Sequence, residues 1–192
     1  MAGVGKSDFP GKYIKCDNLD NIYYKEKNYS ELTFHYWFWK NQLPSKDNNT
    51  WIGFCQKRRF WLNEKNHTNR NNILDLILRN TPDEWKNYEA VICEPIYLGT
   101  KLSKLLKRGW KNIIDKPSLL FSHKEISIKI QFDMHHGYDV LDRAIDVMDK
   151  KDRNDFRTFV HTKNFYNPHI MFISKKNILK KFFQEQFNWL TK

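Results

Sequence analysis

The chain has 192 residues, a formal charge of +11, and 40% hydrophobic and 16% aromatic side chains. That length supports one domain with a real core and crowds two, and so many aromatics exclude a disordered chain. The positive balance favours anionic partners, among which nucleotide diphosphates, nucleic acid and an acidic membrane leaflet all qualify.

Residues 1–20 are polar and turn-rich and give no firm element. Ser30 is the expected N-cap of a helix running to about Asn41. Asp47-Asn48-Asn49 marks a turn, and Trp51 to Cys55 then reads as a buried strand. Asn71 or Asn72 is the expected start of a short helix with Ile73, Leu74, Ile77 and Leu78. Thr81-Pro82-Asp83-Glu84 combines a capping hydroxyl, a first-turn proline and two acids near the positive dipole end, which predicts a helix start. Ala90 to Cys93 reads as a second buried strand, stopped by Pro95.

From Gly99 to Asp115 the pattern is helical, with apolar Leu102, Leu105, Leu106, Trp110, Ile113 and Ile114, and a break expected at Gly109. Lysines and arginines from Lys101 to Lys111 fall largely on the opposite side. Ile126, Ile128, Ile130 and Phe132 alternate with Ser127, Lys129 and Gln131, the period of a half-buried strand. Tyr138 to Lys150 is helical, Ile170 to Ile173 is a buried strand, and Lys176 to Leu190 is a closing amphipathic helix. Strands alternating with helices predict an α/β layer fold, and without repeats or long linkers the expectation is one domain over residues 1–192.

Cys16, Cys55 and Cys93 are widely spaced and form no CxxC pair. They argue against a disulfide scaffold or a cysteine zinc site and fit a reducing cytoplasm. No apolar run approaches the roughly 18–20 residues that span a bilayer, and Met1 to Pro10 lacks the apolar stretch of a signal peptide.

Four groups of residues could carry chemistry. Arg58 and Arg59 follow an apolar strand, and planar guanidinium forks suit bidentate phosphate binding. Where strands are parallel, ligands collect outside their carboxyl ends; the plainer reading is a surface arginine pair. Glu31 and His35 lie one turn apart among the aromatics of Glu31 to Asn41, with Lys40 closing the helix. A buried acid there would need a partner, although aromatic stripes are more often simply core. Asp133, His135, His136, Asp139 and Asp142 form the densest acid–histidine cluster, fit for acid–base work or a divalent ion. The same residues also suit a polar turn with Asp139 at a helix start. Asn167-Pro168-His169 leads polar side chains into an apolar strand, placed either for a ligand or as a plain turn. No P-loop, GxGxxG or Gly-x-Ser-x-Gly elbow is present, against kinases, dehydrogenases and serine hydrolases.

Taken together, these segments resemble the bacterial capsular polysaccharide glycosyltransferases grouped as domain of unknown function 4422. The matching positions are Asn21-Ile22, Glu31 to Asn41, Ile52 to Phe60, Phe132 with His136, Asn167 to Ile173 and Trp189-Leu190, in the family's order. The resemblance implies a GT-A-like single-domain fold with a mixed, mostly parallel central sheet flanked by helices. It implies transfer of a hexosyl unit from a nucleotide-diphosphate sugar to a growing capsular or lipopolysaccharide glycan. Catalytic roles are then expected for His136, Asp139 and Glu31, and substrate or phosphate binding for Arg58, Arg59, Lys40, Trp37, Trp39, Asn167 and His169. The partners implied are a nucleotide-sugar donor and a glycan or lipid-linked acceptor, in the cytoplasm or at the inner face of the cell membrane.

Three departures stand out. Gln56-Lys57 replaces the family's His-Tyr, which removes any proton transfer at that histidine. Members usually open with a further strand, whereas this chain starts near the following Val-Gly, at Val4-Gly5, so that strand is expected to be missing. No clear Asp-x-Asp occurs, which leaves the cofactor, Mg or Mn in many GT-A enzymes, open. The basic stretch Lys101 to Lys116 suits peripheral contact with anionic lipid. Two other readings are a basic nucleic-acid-binding module, which lacks RNP, KH and helix-turn-helix signatures here, and a truncated, non-catalytic partner of a full-length transferase.

Overall fold

The computed structural model describes residues 2–3, 11, 13–56, 59–63, 76–124 and 126–192. Val4-Gly5, Lys57, Arg58, and the helix start at Asn71 or Asn72 with Ile73 and Leu74 lie outside the described residues. In chain order the elements begin with β1 (Ala2–Gly3), β2 (Ile14–Lys15), α1 (Glu26–Tyr29), α2 (Leu32–Asn41), β3 (Trp51–Gly53), β4 (Ala90–Ile92) and β5 (Ile96–Tyr97). There follow α3 (Leu102–Arg108), α4 (Trp110–Asp115), α5 (Leu119–Ser122), α6 (Ile128–His136), α7 (Val140–Asp146) and α8 (Lys150–Thr162). The last are β6 (Phe165–Tyr166), β7 (Phe172–Lys175) and α9 (Lys176–Leu190). They form two compact units, residues 1–92 with 170–191, and residues 93–169 with Lys192.

The first unit is built on the antiparallel sheet β3-β7-β4, in which Ile52 faces Ser174 and Val91 faces Ile173. Leu179, Phe183 and Phe187 of α9, each four residues apart, make one apolar stripe. They meet Ile22, Leu43, Ile52 and Phe54 in a single core cluster. Helix α2 closes this core with rings: Trp39 stacks on Phe187 at 5.6 Å, and Phe38 meets Phe54 edge-on at 5.4 Å. The Thr50 N–H donates to the Asp47 carbonyl at 3.0 Å, the turn expected before β3.

The second unit is helical apart from the short β5–β6 ladder, where Ile96 faces Tyr166. Leu98, Leu105, Leu119, Ile126, Ile130 and Met134 form one buried cluster, and Leu141, Ile145 and Val160 another. Gly109 separates α3 from α4, as expected. A side chain there would lie 2.7 Å from the Leu105 Cδ1 and 3.3 Å from the Met134 Cγ, so the break needs glycine.

Several expectations are corrected. Among the described residues there is no parallel central sheet of the GT-A type: β3 and β4 both run antiparallel to β7. Among the described residues the one parallel pairing is the two-residue contact of β1 with β2. The reason lies in the connections, because the helices between β4 and β7 build a compact unit of their own. Residues 126–132 are not a strand. Ile128 starts α6, whose first turn is capped by the Ser127 hydroxyl accepting from the Ile130 N–H. In a helix, positions two apart fall on nearly opposite sides while positions four apart share one. The apolar alternation is therefore two stripes: Ile130 and Met134 enter the first cluster, Phe132 packs on the second, and Ile128 touches both.

Smaller corrections follow the same logic. Ser30 does not cap α2; it adopts φ 46, and its carbonyl accepts from both the N–H and the hydroxyl of Thr33. The Thr81-Pro82 start leads only to a 3-10 helix, Asp83–Asn87. Strand β4 is an edge strand with Ala90 and Ile92 exposed, not a buried one. The helix expected to reach Lys150 ends at Asp146, and α8 follows it as a separate element. Among the described residues no helix is long and apolar enough to cross a membrane.

His35 is buried in the aromatic core, 4.5 Å from the Phe54 ring, and among the described residues its Nδ1 has no hydrogen-bond partner. Burial lowers its pKa from 6.5 to about 4. Between those values the unfolded chain binds the proton and the folded one does not, so stability is lost as pH falls. The expected loss is roughly 2 kcal/mol from about pH 7 to about pH 5. Urea unfolding at the two values measures it, and His35→Phe should remove most of that dependence. An unchanged pH slope in the variant would contradict a neutral, buried imidazole.

Candidate functional site

Helix α6 builds one wall of a candidate site in the second unit. Ile128, Gln131, Phe132, His135 and His136 recur at helical spacing and share one face. With Leu98 and Tyr166 they line an open groove of about 390 Å³. The β5–β6 ladder brings Tyr166 there, reinforced by the Leu98 N–H donating to the Asn164 carbonyl at 2.6 Å.

The groove combines apolar faces with a few polar groups, the usual make-up of a small-molecule site. The His136 ring lies 4.4 Å from that of Phe132, and no hydrogen bond engages its nitrogens among the described residues. His135 is held differently. Its Nδ1 lies 2.8 Å from the Gln131 carbonyl and its Nε2 3.3 Å from the Lys104 ammonium. A carbonyl only accepts and an ammonium only donates, which assigns the proton to Nδ1. Among the described residues the buried Gln131 Oε1 has no hydrogen-bond partner, which costs stability.

The rest of the acid–histidine cluster secures this wall. Asp133 is buried and paired with Lys129 at 2.8 Å, and Lys129 also donates to the Asn112 side chain at 3.1 Å. The other Asp133 oxygen accepts from the Asp139 N–H at 3.2 Å. That bond helps hold Asp139 at φ 65, a left-handed turn that aspartate tolerates. The Tyr138 hydroxyl donates to Asp115; this bond, then burial and the Asp115 charge, push its pKa up to about 12 and keep the phenol protonated. Asp142 accepts from Arg157 at 3.0 Å and lies 2.8 Å from the His161 Nε2, while Arg157 also reaches Asp146 at 2.7 Å. It ties α7 to α8. Among the described residues, no group of three or more His, Cys, Asp or Glu is placed to hold a metal ion.

The remaining expected residues are scattered in role. Glu31 is exposed at the start of α2, so it is not the buried acid that its aromatic neighbours suggested. Trp37 is 3% exposed, with its indole N–H shared between the backbone and side-chain oxygens of Asn18, and serves the core. Lys40 sits 4.0 Å over the Trp39 ring, which also meets the rings of Tyr36 and Phe187. Arg59 is exposed, forms an isolated antiparallel bridge with Gln56 and donates to its side chain at 2.9 Å. Among the described residues β3 pairs antiparallel with β7, so no parallel-strand rim aims Arg59 at a ligand. Asn167 donates to the Cys93 carbonyl, and His169 is half-buried two residues on. The groove gathers His136 with His135, Gln131 and Tyr166; the last two had no role in the sequence reading. The signal for Gln131 was the spacing 128, 131, 132, 135 and 136, which the strand reading concealed, whereas Tyr166 is brought in by the β5–β6 ladder and had no local signal.

Residues 2–192 match the family model described as domain of unknown function (DUF4422). Among solved structures, the chain is similar to an apo structure of the bifunctional glycosyltransferase WbbM, at 18% identity and a TM-score of 0.60. The match covers 93% of this chain and 30% of that one, and at such identity it concerns the fold. No protein of curated function matches the sequence.

Asp142→Ala leaves Arg157 and His161 without their shared acceptor and should cost about 2 kcal/mol of stability, as hydrogen bonds to charged groups do. Chemical denaturation measures it. An unchanged midpoint would contradict the structural role assigned to Asp142.

Proposed function

The chain belongs to the DUF4422 family, and from that membership and the α6 groove we propose that it transfers a hexosyl unit from a nucleoside diphosphate sugar to a growing capsular or lipopolysaccharide glycan. The observation that carries this reading is the groove itself. Its volume suits a sugar, Phe132 and Tyr166 offer aromatic faces, and His135 and His136 supply polar groups. A pyranose ring stacks its C–H face on an aromatic plane and directs hydroxyls at polar groups, so both kinds of wall are used.

In this reading His136 is the base, because its ring nitrogens are uncommitted among the described residues and it lines the groove. It accepts the proton of the acceptor hydroxyl as that oxygen forms a bond to the anomeric carbon. The bond from the anomeric carbon to the diphosphate oxygen breaks, and the nucleoside diphosphate departs with the electron pair. Asp139, Asn167 and His169 are assigned to orient the sugars. The family motif also carries Arg58 and Arg59, whose guanidinium forks are well shaped for a diphosphate. The reaction is placed in the cytoplasm, at the inner face of a membrane that holds a lipid-linked acceptor.

His136→Ala should lower the initial rate of sugar transfer by about 10²–10⁴-fold, the usual contribution of a positioned base. The side chain is exposed, so the melting temperature should not move. Transfer assays over a panel of nucleoside diphosphate sugars make the comparison, and a variant as fast as the wild type would overturn the assignment.

A further inference from the structure

Helices α3 to α5 carry more apolar surface than the second unit buries. Leu105 and Leu119 enter its core, yet Leu106 and Trp110 are each 52% exposed, Ile114 is 68% exposed and Phe121 is 90% exposed. Leu106 continues from Leu102, and Ile114 from Trp110, each four residues on, so each helix shows a second apolar stripe beside the one that faces the core. Large apolar side chains left exposed on successive helices are the raw material of a docking surface. Seven lysines and arginines but only one acid lie between residues 101 and 124. Lys107, Arg108 and Lys111 are exposed on the same helices, and the Lys111 ammonium lies 5.6 Å from the Trp110 ring.

We infer that this face docks on an anionic lipid bilayer. The apolar side chains enter the boundary between headgroups and acyl chains, and the cations engage lipid phosphates. The two features together choose this occupant. A second copy of the chain would bring two strongly basic faces together, which repels. A nucleic acid would satisfy the cations but offers Leu106 and Ile114 nothing apolar to bury against. A bilayer with acidic headgroups answers both, since surface helices of this type gain from buried apolar area and from attraction to anionic lipid. The inference concerns a different surface from the groove and does not depend on sugar transfer.

Flotation with vesicles of equimolar phosphatidylglycerol and phosphatidylcholine tests it, beside vesicles of phosphatidylcholine alone. The chain should float with the anionic vesicles at low salt, weakly with the neutral ones, and progressively less as salt rises. Removing two cations in Lys107→Ala/Arg108→Ala should weaken binding on the order of 30-fold. Trp110→Ala/Phe121→Ala should weaken it while circular dichroism shows an unchanged fold. No flotation with anionic vesicles at low salt would overturn the inference. So would equal binding to neutral vesicles, or wild-type binding by both double variants. A concentration-dependent dimer that Trp110→Ala dissociates, with no vesicle binding, would give the face to a second copy instead.

Discussion

Helix α6 must bury apolar side chains on two sides at once. Ile130 and Met134 point into one cluster, Phe132 into the other, and Ile128 reaches both. Burial of that kind is worth about 1.5–3 kcal/mol for each large apolar side chain, so rotating the helix by even one position would forfeit several such terms. Its azimuth is therefore fixed by the core. The residues left over, Gln131, His135 and His136, take the one remaining direction, along the groove. The imidazoles gain their positions from a packed helix, the kind of support that holds reactive groups steadier than a loop does.

Charge is used to reinforce that placement. Lys129 and Asp133 form a buried pair one turn apart on α6, with Asn112 taking a further Lys129 donor and Asp133 holding the turn at Asp139. A buried pair left with one partner is strongly destabilised, which is why these acids read better as structure than as chemistry. Asp142 is similar, spent on Arg157 and His161. In the first unit the aromatic helix α2 plays the corresponding part, since its rings close the core over α9 and its buried histidine stays neutral among phenylalanines.

Where one pattern fits one structure, the sequence was easy to read. Leu179, Phe183 and Phe187 repeat only at helical spacing, and α9 runs from Lys176 to Leu190 as expected. Gly109 splits the basic helical stretch, and the motif from Glu31 to Phe60 points to the family. Residues 126–132 show the opposite case. An apolar residue at every second position suits a half-buried strand and also a helix buried on two sides, and local pattern cannot choose. Ser127 as a cap and the Lys129–Asp133 spacing were the discriminating signs. The sheet was illegible for another reason: β3 and β4 find their shared partner in β7, far along the chain, and nothing local encodes direction. His136 was visible through its motif, whereas Gln131 and Tyr166 acquire meaning only when α6 and the β5–β6 ladder bring them together.

The claim at the centre of this account is that a sugar lies along the exposed face of α6. Nuclear magnetic resonance of the imidazole and aromatic side chains, with nucleoside diphosphate sugars and acceptor saccharides titrated in, addresses it most directly. The account predicts saturable shifts at His136, Phe132 and Tyr166, with the buried His35 ring unmoved. Shifts confined to other residues, leaving that face silent, would contradict it.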